Sequence, residues 1–175
     1  MNCTQDEIAP AQVSIAELRE GENVNAFELG YFLYYFRAAY VVCLERIQYQ
    51  SITLEEAKSL GRVELLDLLD PLLHTSVTSL WLYELPEELD LEFITISKES
   101  PLKFVAKSAG ISLIALTMAV IISGGKANVY EGTFDIPPMA NGIRALMNAF
   151  GVQSPNALPS ERRTQENDFL SSSSS

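Results

Sequence analysis

The sequence predicts an α+β domain in which two N-terminal helices pack on a small three-stranded sheet, with an apolar crossover helix and a closing C-terminal helix. Three observations carry that prediction. The apolar residues of 25–70 recur at helical spacing, those of 91–106 alternate with a period of two, and 111–122 is an uncharged, mostly apolar run flanked by Gly and Ser. A chain of 175 residues suits one core. Its 47% hydrophobic and 20% charged residues are those of a packed protein.

The elements follow in order. An acidic lead over 1–24 lacks apolar periodicity and is expected to be mobile. Asn25 stands three residues before Glu28, a capping arrangement that starts a helix at about Ala26, running to roughly Ile47. Its apolar residues cover nearly every face, and Glu28 and Arg37, nine positions apart, point to opposite sides. In "SITLEEAK", Thr53 is the N-cap and Glu56 the reciprocal partner of a second helix. Leu54, Ala57, Leu60, Leu65, Leu68 and Leu69 form its apolar side, Glu55, Lys58, Arg62 and Glu64 its wet side, and Pro71 ends or kinks it. The next stretch is read as helical to about Leu82, although Val77, Thr78, Trp81 and Tyr83 also suit a strand.

From Leu91 two short strands are expected, joined by a turn at "KESP", where Pro101 marks a strand start. A third is expected in "NVYEGTFDIP". "PPMANGIRALMNAFG" reads as the closing helix, with prolines before its first turn and Gly151 after its last. The domain therefore spans 25–151, and the Pro- and Ser-containing stretch 152–175 is expected to be disordered.

Residues 108–125 carry no charge, which meets the lower length limit for a membrane span. The continuous apolar part, Ile111 to Ile122, covers only about 18 Å as helix, against about 30 Å of hydrocarbon. A spanning helix would also separate the strands before it from the strand after it. The crossover reading is preferred on these grounds. A single span over Ser108 to Gly125 is kept as an alternative, and burial between copies of the chain is a third reading, with Gly110, Ser112 and Ala119 allowing close approach.

Charge narrows the partners. Twelve Lys and Arg against 23 Asp and Glu give a net charge of -11, which repels nucleic acid and anionic headgroups. Two cysteines, Cys3 and Cys43, cannot build a disulfide framework, and "MNCTQDEIAPAQ" has no secretory pattern. A cytoplasmic location is expected, with inner-membrane association as the alternative.

Chemical motifs are weak. Glu64, Asp67 and Asp70 lie three apart with His74 four beyond, a pattern that could support a metal-dependent enzyme. A second histidine is missing, however, and spaced acids on an amphipathic helix are ordinarily its solvated face. "ISGGKANV" fails as a phosphate loop because Ala127 follows Lys126. Gly124 and Gly125 read instead as a helix stop, with Lys126 complementing the dipole. "ELPEELDLE" reads as a solvated acidic linker. No catalytic, cofactor or metal residue is assigned.

The expected function is a non-enzymatic interaction or assembly protein, acting by self-association or through a protein partner. Tyr31, Tyr34, Tyr35, Arg37 and Tyr40 on the first helix and Ile111, Leu113, Met118 and Ala119 on the apolar helix are the candidate contact residues. The order strand, "SPL", strand, apolar helix, "SGGK", strand, "PP", helix over Leu91 to Gly151 resembles a group of small uncharacterised bacterial proteins. That resemblance implies a bacterial or phage-related origin and a non-catalytic module.

Overall fold

A computed structural model describes residues 12–15, 26–97, 103–107, 110–128 and 133–153. The expected termini 1–11 and 154–175, and the Asn25 cap, lie outside these residues. Among the described residues helix predominates: α1 (Ala26–Gln50), α2 (Leu54–Ser59), α3 (Arg62–Leu73), α4 (Val77–Trp81), α5 (Ile111–Ile122) and α6 (Met139–Ala149). The strands are β1 (Gln12–Ile15), β2 (Glu92–Ser97), β3 (Lys103–Lys107), β4 (Lys126–Asn128) and β5 (Thr133–Ile136).

The expected three-stranded sheet is not what forms. The strand order is β2-β3-β1-β5-β4. β1 is parallel to β5 and antiparallel to β3, with Val13 opposite both Phe134 and Phe104. Two antiparallel hairpins, β2–β3 and β4–β5, are therefore joined through a strand from the lead that was expected to be mobile. The architecture is a helical layer centred on α1 and α5 with this sheet beside it, rather than two helices laid on three strands.

α1 begins at the expected residue and runs one turn further than the sequence suggests. It packs against α5, α6, α4 and α3, and this central position explains why its apolar residues occupy nearly every face. Phe32, Phe36, Tyr40 and Leu44 are almost fully buried along it. Burial of each large aromatic removes about 150–250 Å² from water.

The predicted second helix is divided. Thr53 Oγ1 accepts from Glu56 N–H at 3.3 Å while Glu56 Oε2 accepts from Thr53 N–H at 2.8 Å, completing the expected capping box. α2 then ends at Ser59, and Gly61 N–H donates to the Glu64 carboxylate as α3 starts. Pro71 lies inside the last turn of α3 and does not end it, since the helix continues to Leu73. Arg62, expected on the wet side, is half-buried. Its Nε donates to Ile122 O at 2.9 Å and its Nη2 to Ala145 O at 3.0 Å. One guanidinium thus ties the last carbonyl of α5, where positive charge is favoured, to a carbonyl in the second half of α6.

α5 has the predicted boundaries and is a core helix. Leu116, Met118, Ala119, Val120 and Ile122 are fully buried within this one chain. Two of its buried hydroxyls bond back to the helix, Thr117 Oγ1 to Leu113 O at 2.8 Å and Ser123 Oγ to Val120 O at 2.7 Å. The helix stops at the two glycines for different reasons. Gly124 has φ +85°, whereas a Cβ on Gly125 would run into Asp135 O and the Val120 side chain. Lys126, expected to serve only the helix dipole, opens β4.

β3 before α5 and β4 after it belong to one sheet. Among the described residues no helix is long and apolar enough to cross a membrane, so the spanning reading of Ser108 to Gly125 is withdrawn. Phe134 and Ile136 point from β5 into the core while Asp135 faces outward, the alternation expected of a half-covered strand. α6 closes on α1 at Gly142, where a Cβ would lie 3.0 Å from the Phe32 ring.

Candidate interaction surface

Of the large apolar side chains that the fold leaves in water, Phe27 and Tyr31 lie on the first half of α1 and Trp81, Leu82 and Tyr83 at and just after the end of α4. Phe27, Tyr31 and Tyr34 stand one turn or less apart on the first half of α1, and α4 lies against that face. Phe27 and Tyr31 meet at a tilt with ring centroids 4.7 Å apart, Tyr31 and Tyr35 are 6.0 Å apart, Tyr34 and Tyr35 5.2 Å, and Tyr34 and Trp81 5.4 Å. Tyr34 Oη and Thr78 Oγ1 share a hydrogen bond of 2.9 Å. Leu82 and Tyr83 continue the strip from Trp81. Phe27 is 55% exposed, Leu82 69% and Tyr83 58%, with Tyr31 and Trp81 each more than a third exposed. Large apolar side chains scattered singly on a surface need no explanation, but a contiguous run of them marks a contact site.

Arg37 holds the strip in place. Its Nη2 donates to Asp90 Oδ2 at 3.0 Å and its Nε to Asp90 Oδ1 at 3.3 Å, a two-point pairing. The same guanidinium donates to the carbonyls of Leu80, Trp81 and Tyr83. It also lies 5.6 Å from the centre of the Trp81 ring. Tyr40 assists from one turn further along α1, donating to Leu89 O at 2.6 Å. Burial is the first cause that pushes its phenol up to about 12.

Pro86 begins a turn in which Leu89 N–H and Asp90 N–H both donate to Pro86 O, at 2.9 and 3.1 Å. Glu87 and Glu88 are exposed on that turn and Glu84 is exposed just before it. The expected acidic linker is therefore a fixed loop, anchored at both ends by α1.

The predicted contact residues divide accordingly. Tyr31 and Tyr34 are on the surface strip, and Tyr35 is buried beneath it. Arg37 and Tyr40 support the loop from inside. Ile111 is 41% exposed at the start of α5, whereas Leu113, Met118 and Ala119 are buried and cannot meet another chain without unfolding. Phe27, Trp81, Leu82 and Tyr83 were not anticipated. The signal available for the last two was an apolar triplet, Trp81-Leu82-Tyr83, directly before acidic and proline residues that exclude further helix.

The acidic pattern around His74 is open surface. His74 Nε2 and Asp70 Oδ1 are 3.6 Å apart, with both side chains at least 70% exposed. Among the described residues no group of three or more His, Cys, Asp or Glu side chains is gathered as a metal ion would require. A second surface depression, between the end of α1 and helices α2 and α3, is lined by Gln50, Ile52, Glu56, Leu60, Glu64 and Leu68. Its two carboxylates are both engaged as helix caps. Cys43 is a free thiol, fully buried in α1, and burial pushes it far above the ordinary thiol value. No protein-family model, curated protein or solved structure matches this chain.

Proposed function

We propose that this chain is a non-enzymatic interaction or assembly protein of the cytoplasm, acting through a protein contact at the aromatic strip of α1, α4 and the loop that follows. One observation carries the reading: Phe27, Tyr31 and Trp81 remain exposed along one chain of ring contacts, and Leu82 and Tyr83, also exposed, follow Trp81 on a loop that Arg37 fastens from below. Fixing that loop orders side chains before a partner arrives, which lowers the entropic cost of binding. Trp, Tyr and Arg are also the residue types that dominate binding energy at protein contacts. A buried, free Cys43 suits a reducing compartment.

The test is the native mass of the protein isolated from its own cells at natural abundance. The reading predicts a species heavier than the 19.4 kDa monomer, lost in a Tyr31→Ser/Leu82→Ser variant and kept in a Tyr49→Ser/Val63→Ser variant, whose residues are exposed elsewhere. A monomer mass for the unaltered chain, or equal loss in both variants, would refute it.

A further inference from the structure

We propose that the occupant of the aromatic strip is a cationic, apolar-faced segment of another protein and not a second copy of this chain; this rests on the interaction reading above. Charge selects the occupant. No Lys or Arg occurs between Arg62 and Lys98, while acids stand at 84, 87, 88, 90 and 92. Asp90 is neutralised by Arg37. Glu84, Glu87 and Glu88 remain exposed, and no ion pair involves them among the described residues. They follow Tyr83 on the loop that Arg37 and Tyr40 anchor, which gives that end of the strip an acidic rim.

A partner with apolar residues on one face and Lys or Arg flanking them meets both features at once. Rim charges of this kind act mainly on specificity and on association rate. A second copy docking through the same strip meets the apolar feature but not the charged one. In a two-fold contact the same patch faces itself, bringing one acidic rim toward the other on chains that each carry a net charge of -11. Like charges facing one another across a contact disfavour it.

Trp81 is the single tryptophan of the chain and lies within the strip, so its emission reports occupancy directly. The probes are two Trp-free amphipathic peptides of roughly 18 residues, five helical turns, sharing one Leu/Phe face. One carries Lys on its polar face and the other Glu. The cationic peptide is expected to bind the full-length protein saturably with a blue shift of Trp81 emission, more weakly as salt rises above about 0.15 M. The Glu peptide is expected not to bind. Replacing Glu84, Glu87 and Glu88 together with Gln should weaken the cationic peptide by about fivefold or more, whereas Glu45→Gln/Asp67→Asn/Asp70→Asn, which removes equal charge from α1 and α3, should change it less than twofold.

Failure of the cationic peptide to bind, equal binding of both peptides, or equal weakening by the two charge variants would overturn the inference. Concentration-dependent dimerisation with a blue shift of Trp81 would also overturn it, while leaving the strip as an interaction surface. Undiminished binding to the Tyr31→Ser/Leu82→Ser variant would remove the strip itself, and the interaction reading with it.

Discussion

Replacing Arg37 with Met keeps most of the aliphatic stem on α1 and removes the guanidinium that fastens the loop. The ion pair with Asp90 has side chains 17% and 38% exposed, so solvent screening limits it to ~0.5–1 kcal/mol. The bonds to Trp81 O and Tyr83 O come from a charged donor but lie near the surface, and together contribute about 1–2 kcal/mol once water replaces the donor. The Leu80 bond, at 3.4 Å, adds little. The contact with the Trp81 ring contributes ~0.5–1 kcal/mol. The expected loss is about 2–4 kcal/mol, which for a chain of this size lowers Tm by roughly 5–15 °C. Arg37→Lys keeps the charge but cannot span Asp90 and the carbonyls together, and should recover less than half of it. Guanidinium chloride unfolding followed by circular dichroism gives the stability, and native Trp81 emission gives the state of the loop, with a red shift expected. A cycle with Asp90→Asn should return a coupling of about 1 kcal/mol. A loss below ~0.5 kcal/mol with unchanged Trp81 emission would refute the assignment of Arg37 as the anchor.

Other expectations follow from the same geometry. Leu116→Ala, in the fully buried middle of α5, should cost about 2–5 kcal/mol by calorimetry or denaturant unfolding, and a cost under ~1 kcal/mol would remove α5 from the core. The raised folded value of Tyr40 contributes stability that is complete below pH ~10 and lost as pH rises through about 12; Tyr40→Phe should flatten that alkaline limb and cost ~1 kcal/mol at neutral pH for the lost bond to Leu89 O. Glu56 is lowered by its hydrogen bonds from Thr53, so its contribution is present above pH ~4.3 and lost as pH falls through the lower folded value. Thr53→Ala should therefore reduce the acid dependence of stability as measured by unfolding at several pH values. In a Cys3→Ser background, Cys43 should resist alkylation in the native protein and react fully in denaturant; rapid native labelling would contradict its burial.

Local signals were readable wherever they sat inside one element. The Thr53 and Glu56 pair marks the start of α2, and the apolar run bounded by Gly110 and Ser123 marks α5. Gly61 was hidden because Leu54 and Leu65, eleven residues apart, keep the helical period across it while the backbone breaks. β1 and β4, of four and three residues, are too short to show alternation. β1 is a strand only through its pairing with β3 and β5, which lie far along the chain. The same limit applies to the candidate surface. Tyr31 and Tyr35 have identical chemistry and neighbouring positions, and only the docking of α6, whose end brings Phe150 to 6.3 Å from Tyr35, decides that one is wet and the other buried. Arg62 looked like a solvated charge and Arg37 like a contact residue because their backbone-carbonyl partners lie on distant elements, which a sequence pattern cannot display.

The central claim is that the aromatic strip is open in the isolated chain and covered in the assembled one. Hydroxyl-radical footprinting read by mass spectrometry, on the recombinant chain and on the native assembly from its own cells, addresses it residue by residue. The account predicts that Phe27, Tyr31, Trp81 and Tyr83 are modified readily in the isolated chain and protected in the assembly, with Tyr49, 83% exposed at the far end of α1, modified equally in both. Equal modification of the strip in both states, or protection of Tyr49 alone, would contradict it.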